Sequence, residues 1–200
     1  MHGSTTSALI ATIHHISRLL DSSSYVRCIF VDYSKAFDII NHAILFQKLQ
    51  QLAIPPNVLL WIINFLSGRT QAVSSCGQIS GWLLVSQSII QRSGIGPYLY
   101  LVYASDLQTL SPYNVIIKYA DDTTLLVGQH SPVDIQQEHI CSWSARNRLT
   151  INSDKTKEIV FHRPASRHLN IPPPLSTLNE LHRLHYLDLI SRPPFLLLYM

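Results

Sequence analysis

Two adjacent aspartates, Asp121 and Asp122, interrupt the segment VIIKYADDTTLLV at residues 115–127. The apolar and β-branched residues on both sides are typical of buried strands, in which neighbouring carboxylates are rare. A tight turn within KYADDTTL would place both aspartates at the tip of a β-hairpin. Because adjacent strand residues point to opposite faces, the two carboxylates can serve one site only if the turn re-aims one of them.

A third aspartate, Asp32, ends another apolar segment, YVRCIFVDY at residues 25–33. If this strand pairs beside the hairpin, three carboxylates meet and raise one another's pKa. A divalent cation removes that repulsion, and Mg²⁺ prefers carboxylate oxygens together with substrate phosphates. Two such ions would activate a 3′-hydroxyl and stabilise a leaving pyrophosphate. An Asp-Asp dipeptide alone is more often a turn or a helix cap, so the pattern by itself leaves both interpretations open.

The elements that must position these aspartates follow from hydrophobic spacing and from turn residues. In chain order the sequence predicts a Ser/Thr-capped helix, a strand at 25–32, helices at 34–52 and 57–69, a hairpin or meander at 70–90, a helix from 96, the Asp-Asp hairpin, a helix at 133–147 and a strand, turn and strand at 148–164. Val133, Ile140 and Trp143 form the expected buried stripe of the last helix. This order predicts an α+β fold with helices packed on one antiparallel sheet.

Composition narrows the class of protein. Hydrophobic residues make up 46% of the 200 residues and charged residues 14%, which excludes a disordered chain and a membrane protein. No apolar run is long enough to span a bilayer, and the N-terminus lacks the basic start of a secretion signal. The three cysteines are odd in number and far apart. This spacing favours reduced thiols in an intracellular protein, in the nucleus or the cytoplasm.

The positive charge is concentrated after the Asp-Asp segment. Residues 146–167 hold six Lys/Arg against two Asp/Glu, a balance of +4, whereas residues 1–145 balance at −1. An anionic partner lying between the aspartates and this basic segment would explain both features. A solvated basic face explains the basic segment equally well.

The order of three motifs resembles the palm of reverse transcriptases, and most closely that of non-LTR (LINE-type) retrotransposons. The segments are VRCIFVDYSKAFDIINHAILFQKL, KYADDTTLLV and LTINSDKTKEIVF. The resemblance implies a polymerase palm, an antiparallel sheet backed by helices with fingers and thumb largely missing. It covers residues 4–164, a palm with partial fingers. Residues 165–200 are expected to be an irregular tail with a last palm strand near 186–190.

The resemblance assigns roles to individual residues. Asp32, Asp121 and Asp122 correspond to the catalytic ligands of two Mg²⁺ ions. Asp32 corresponds to the aspartate that binds both ions, and Asp121 is preferred over Asp122 for direct metal contact. Lys155 corresponds to a lysine near the triphosphate that protonates the leaving pyrophosphate. Three further positions are expected to bind the nucleotide: Tyr33, Phe37 as a steric gate against a ribose 2′-hydroxyl, and Gln91. Without the resemblance, Phe37 would be interpreted as a core residue of a helix and Lys155 as an exposed residue of a turn.

The sequence also departs from the family pattern. Around Gln91 the pattern Gly-Val-Pro-Gln-Gly is replaced by SIIQR, so Arg92 stands where a glycine would allow a positive φ or close approach of a ligand. This change predicts weakened nucleotide binding. The missing fingers, thumb and endonuclease segments predict a palm-centred fragment of a decayed mobile element; an incomplete gene model would give the same pattern.

The leading functional hypothesis is therefore an RNA-directed DNA polymerase, impaired in this fragment. Its implied partners are an RNA template, a DNA primer and deoxynucleoside triphosphates, with no membrane; the sequence gives no oligomeric state. The alternative is a non-catalytic nucleic-acid-binding relic that uses the basic segment and the aromatic residues Tyr119, Phe161 and Trp143, although Trp143 fits the core better. A third hypothesis is a relic that does not fold stably.

Overall fold

A computed structural model describes residues 4–90, 92–163, 173 and 175, and the backbone of 181–185. The chain divides into two units. The first contains the described parts of Met1–Ser34, Leu107–Ser144 and Thr150–Met200; the second contains those of Lys35–Asp106 and Ala145–Leu149. The elements in chain order are α1 (Thr5–Ser22), β1 (Tyr25–Val31), α2 (His42–Gln50), α3 (Pro56–Leu66), β2 (Thr70–Gln71), β3 (Ser74–Ser75), β4 (Gln78–Ile79), β5 (Leu83–Leu84), α4 (Gly96–Tyr103), β6 (Val115–Tyr119), β7 (Asp122–Gly128), α5 (Val133–Arg146), β8 (Lys157–His162) and β9 (Leu181–His185).

The first unit is built on a five-stranded sheet in the order β6-β7-β1-β8-β9. The pairs β6–β7, β7–β1 and β1–β8 are antiparallel, whereas β8 and β9 are parallel. Strand β1 lies at the centre, and six of its seven residues are buried. The predicted α+β class with an antiparallel sheet is confirmed, with the parallel β8–β9 pair as an addition. The strand expected near 186–190 lies outside the described residues.

Helix α1 covers one face of this sheet. Its buried residues, Ala8, Thr12, Ile16 and Leu20, recur every four positions, which is the spacing of one helical face. Ser4 caps the helix, since its hydroxyl accepts a hydrogen bond from the Ser7 N–H at 3.1 Å. The core on this side consists of the following buried residues: Ile16, Leu20, Val26, Cys28, Phe30, Leu126, Ile159 and Phe161.

Helix α5 supplies side chains to the opposite side of the sheet. Val133, Ile140 and Trp143 are buried, as the sequence predicted. Ile140 and Cys141 face Ile29 and Val31 of β1 across a cavity of about 200 Å³. The sheet is therefore covered on this face, but a space remains beside the end of β1.

A buried ion pair crosses strands β1 and β8. The Arg27 Nε donates to Glu158 Oε1 at 2.5 Å, and the Glu158 side chain has no solvent exposure. Glu158 also accepts a hydrogen bond from the backbone N–H of Leu175. Sequence reasoning did not predict this pair, because its partners are 131 residues apart.

The second unit consists of three helices and a nested hairpin. Strand β2 pairs with β5, and β3 pairs with β4 between them, so the predicted hairpin at 70–90 is confirmed. Helix α4 contributes the buried residues Leu99, Tyr100 and Tyr103. Lys48 of α2 pairs with Asp106 at 2.6 Å.

Two predicted element bounds are wrong. The helix expected from residue 34 begins at His42, because Asn41 caps it by accepting a hydrogen bond from the Ile44 N–H at 3.1 Å. Residues 34–39 form turns instead. The strand expected at the start of 148–164 is reduced to an isolated bridge between Ile151 and Tyr33. The three cysteines are free, as predicted. Among the described residues, no helix combines the length and apolarity needed to cross a membrane.

Candidate active site

The β6–β7 hairpin presents the two adjacent aspartates. Tyr119 pairs with Asp122, so Ala120 and Asp121 are the two residues of the connecting turn. Ala120 has φ of 51°, in the left-handed region that two-residue hairpin turns require at a central position. This turn confirms the predicted hairpin tip, with Asp121 in the turn and Asp122 as the first residue of β7.

Asp32 lies opposite Asp122 on the neighbouring strand. Strand β7 pairs with β1, and Val31 stands opposite Thr123. Continuing this antiparallel register by one residue brings Asp32 opposite Asp122. Directly opposed residues project from the same face, with Cβ atoms roughly 4.5–5.5 Å apart. The pairing therefore brings together two carboxylates that are 90 positions apart in the sequence.

A small cavity opens where these strands end. Its volume is about 40 Å³, and its lining residues are Phe30, Val31, Asp32, Asp122, Thr123, Thr124 and Lys155. Two aspartates and one lysine thus line one space. The two threonines were not predicted. Their signal in the sequence is a pair of polar residues directly after the aspartates in a segment that is otherwise apolar.

The carboxylates are electrostatically coupled. Burial, the Asp121 carboxylate and the Asp32 carboxylate together raise the pKa of Asp122 to about 6. Each of these causes disfavours the ionised form of Asp122, since burial removes solvation and the neighbours carry like charge. A cation in the cavity would reverse this effect.

Asp32 and Asp122 fit a Mg²⁺ ion whose coordination shell contains two protein carboxylates and is completed by other oxygens. Mg²⁺ is commonly bound through one or two carboxylates plus substrate phosphates. Within the described ranges, no three His, Cys, Asp or Glu side chains are already grouped to hold a metal. Asp122 lines the cavity and Asp121 does not, so the cavity gives no support to the preference for Asp121.

The residues expected to bind a nucleotide have different surroundings. The Tyr33 side chain is 4% exposed and lies against Trp143, with ring centroids 6.3 Å apart. Burial raises its pKa to about 12, and its ring offers almost no surface to a ligand. Phe37 belongs to the second unit, where it is half-buried and its ring lies 5.0 Å from that of Tyr100. Gln91 lies outside the described residues.

Arg92 adopts a backbone conformation that favours glycine. Its φ is 62°, in the left-handed region. The sequence comparison with the family pattern predicted a glycine at this position, and the backbone explains that preference. Arg92 therefore retains a glycine-type conformation with an arginine side chain.

Base stacking on the aromatic residues proposed from the sequence is mostly excluded. Phe161 has no exposure and Trp143 is 3% exposed, because both belong to the core of the first unit. Tyr119 remains half-exposed beside the hairpin tip. Among these three, only Tyr119 has surface that a base could contact.

Comparison with known proteins decides the family. Residues 2–188 match the family described as reverse transcriptase (RNA-dependent DNA polymerase). The chain belongs to the reverse transcriptase family. It is 30% identical over 173 residues to the RNA-directed DNA polymerase from mobile element jockey of Drosophila melanogaster, covering 80% of this chain and 19% of that protein. It is 28% identical over 167 residues to the probable RNA-directed DNA polymerase from transposon X-element of the same species, covering 78% and 18%.

These relatives confirm the resemblance to non-LTR retrotransposons. The chain spans about one fifth of the length of the curated relatives it matches. Among solved structures, the fold is similar to telomerase of Candida tropicalis in complex with a fragment of telomeric RNA, with a TM-score of 0.64 and 13% identity over 86% of this chain and 31% of that one. The telomerase of Candida albicans gives a TM-score of 0.59 at 12% identity, over 84% and 31%. Members of the reverse transcriptase family use divalent metals and bind an RNA template and a primer.

Proposed function

We propose that this chain carries the palm chemistry of an RNA-directed DNA polymerase, the addition of a deoxynucleotide to a primer 3′-end. The observation that carries the proposal is the convergence of Asp32, Asp122 and Lys155 on one small cavity. Two opposed carboxylates and a nearby cation suit a triphosphate that arrives with its metal ions. The proposed ligands are an RNA template paired with a DNA primer, and a deoxynucleoside triphosphate.

The three aspartates would hold two Mg²⁺ ions. Asp32 and Asp122 face the cavity, and Asp121 in the adjoining turn is close enough to raise the pKa of Asp122. When bound, the ions lower the pKa of the primer 3′-hydroxyl and neutralise the developing charge on the pyrophosphate. The carboxylates would hold the ions in place, which would help to align the attacking oxygen with the leaving group.

Lys155 would act on the leaving group. It is an exposed residue that lines the same cavity as the two carboxylates. An ammonium group there donates a hydrogen bond, and then a proton, to the departing pyrophosphate. Phe37 as a gate against the 2′-hydroxyl and Gln91 as a nucleotide contact are further parts of the proposal. Because the Tyr33 side chain is buried, its proposed nucleotide contact is through the backbone.

In this proposal the basic segment, residues 146–167, binds phosphates of the template and primer. Within the described residues it includes Arg146, Arg148, Lys155, Lys157 and Arg163. Contacts of such side chains with phosphates make binding fall with salt, by roughly 0.9 in log affinity per log salt for each phosphate neutralised on a duplex. The location that we propose for this activity is inside a cell, in the nucleus or the cytoplasm.

The test is primer extension on a poly(A)·oligo(dT) duplex with dTTP and Mg²⁺. Wild type, Asp122→Asn and Lys155→Gln are compared with Glu138→Gln, which removes a charge from an exposed position of α5. We expect extension by wild type and Glu138→Gln, its loss in Asp122→Asn, and a reduction of tenfold or more in Lys155→Gln. Extension by Asp122→Asn at the wild-type rate would contradict the proposal.

A second outcome would favour the non-catalytic alternative. Two observations support that alternative: the absence of a grouped three-ligand set among the described residues, and the arginine at position 92. Folded protein that extends no primer but binds RNA in a salt-dependent way, equally well in Asp122→Asn, would replace the polymerase proposal with nucleic-acid binding.

A further inference from the structure

The turn at residues 152–156 is bonded to both backbone groups of Asp32. The Asn152 N–H donates to the Asp32 carbonyl oxygen at 2.9 Å. The Asp32 N–H donates to the Thr156 hydroxyl oxygen, Oγ1, at 3.2 Å. Thr156 is 3% exposed, and this second hydrogen bond is partly buried.

The Thr156 hydroxyl takes the place of a strand partner. Strand β8 begins at Lys157, opposite Phe30, and the bridge between Tyr33 and Ile151 restores pairing beyond Asp32. Between these two points, residues 152–156 leave the sheet as a turn, and no backbone carbonyl of β8 stands opposite the Asp32 N–H. A buried N–H without an acceptor is costly, and Oγ1 supplies that acceptor.

The same turn also places Lys155. The Thr156 N–H donates to the Asn152 carbonyl oxygen at 2.8 Å, which closes the turn. The Lys155 N–H donates to Asn152 Oδ1 at 3.3 Å. Because the turn is closed internally and bonded to Asp32 at both ends, these hydrogen bonds contribute to the separation between Asp32 and Lys155.

The turn lies beside a cavity. Ile151, Ser153 and Thr156 line the cavity of about 200 Å³ between the sheet and α5. Side chains next to a cavity lack contacts on that side. If the bond from the Asp32 N–H to Oγ1 is removed, the turn therefore has room to move.

We propose that Thr156 is a positioning residue, whose hydroxyl fixes the backbone of Asp32 and, through the turn, the place of Lys155 relative to it. The inference rests on the proposed function, because Asp32 and Lys155 act there on the metal ions and the pyrophosphate. Its structural part, the restraint on Asp32, can be measured without any catalysis.

The test compares wild type with Thr156→Val and Thr156→Ser. Valine keeps the branched shape and removes the acceptor, whereas serine keeps the hydroxyl. Amide hydrogen exchange of Asp32 is measured by NMR in metal-free protein, and Mg²⁺ affinity is measured by titration of the Asp32 and Asp122 signals. If the valine variant does not fold, Thr156→Ala is measured in its place. Primer extension adds kcat and KM for dTTP.

We expect Thr156→Val to accelerate exchange of the Asp32 amide at least tenfold and to weaken Mg²⁺ binding at least threefold, with both restored in Thr156→Ser. In primer extension, kcat falls at least tenfold in Thr156→Val while KM for dTTP stays within twofold. Unchanged exchange in Thr156→Val overturns the proposal. Faster exchange with wild-type Mg²⁺ affinity also overturns it, since the hydroxyl would then only stabilise the turn.

The outcomes separate this inference from the proposed function. If wild type extends no primer, the polymerase proposal fails, while exchange and Mg²⁺ affinity still decide the role of Thr156. If wild type extends primers and Thr156→Val matches it in exchange, Mg²⁺ affinity and kcat, the positioning role fails and the polymerase proposal stands.

Discussion

Replacing Asp122 with asparagine should stabilise the metal-free protein at neutral pH. The ionised carboxylate is disfavoured by burial and by the charges of Asp121 and Asp32, which raise its pKa to about 6 from an ordinary 3.8. At about 1.36 kcal/mol for each pKa unit, this difference corresponds to roughly 3 kcal/mol. Because Asp122 is only half-buried, solvent screening reduces the expected effect to about 1 kcal/mol.

The sign of the pH dependence follows from the raised pKa. Between about pH 4 and pH 6 the folded protein binds more protons at Asp122 than the unfolded chain does, so this residue lowers stability as pH rises. The penalty is nearly complete above about pH 7 and small, about one fifth of its full value, at pH 4. Asp122→Asn should therefore match wild type near pH 4 and exceed it by about 1 kcal/mol at pH 7.5.

The assay is urea unfolding followed by circular dichroism, at both pH values and with EDTA present. Glu138→Gln removes an exposed carboxylate from α5 and serves as the control for loss of one negative charge. Millimolar Mg²⁺ at pH 7.5 should raise the stability of wild type more than that of Asp122→Asn, since a ligand stabilises the state that binds it. An Asp122→Asn effect that is the same at both pH values would refute the reasoning from neighbouring charges.

Three further stability predictions use the same unfolding assay. Glu158→Gln leaves its buried arginine partner without a counter-charge and should lower the free energy of unfolding by about 3–5 kcal/mol. Asp21→Asn, in an exposed ion pair, should change it by less than about 1 kcal/mol. Equal effects of the two substitutions would contradict the role assigned to burial. Ala120→Gly should stabilise by up to about 1 kcal/mol because φ is 51°. Ala11→Gly in the middle of helix α1 should instead destabilise by about 0.5–1 kcal/mol. Arg92→Gly should also stabilise the protein by up to about 1 kcal/mol, because φ at this position is 62°. A loss of stability would show that the arginine side chain stabilises the fold by more than the strained backbone costs.

Features set by local sequence were predicted well. The cap at Ser4, the buried stripe of α5 and the two-residue turn after Tyr119 each depend on residues within a few positions of one another. Helical spacing and turn chemistry are readable at that range. The start of α2 was missed because apolar residues before Asn41 continue the helical spacing, whereas the cap at Asn41 sets the boundary.

Contacts between strands that are distant in the sequence could not be predicted from local sequence. Nothing near Arg27 indicates that Glu158 is its partner, because the pairing depends on the register of β1 with β8. The role of the Thr156 hydroxyl likewise depends on where β8 begins relative to Asp32. The motif resemblance identified which aspartates to examine, but the sheet order was needed to show that Asp122 faces Asp32 across the cavity.

The fold holds Asp32 and Asp122 in different ways. Asp32 follows the central strand of the sheet, whose residues are buried between α1 on one face and α5 on the other, so the core of the whole first unit determines its place. Asp122 begins the neighbouring strand directly after the two-residue turn of the hairpin. A rigid element holds a ligand more accurately than a loop does. Substitutions in the core below Asp32 should therefore reduce stability and Mg²⁺ affinity together. Asp121→Asn in the hairpin turn should lower Mg²⁺ affinity with a smaller change in unfolding than the core substitutions cause, because few buried contacts are lost there.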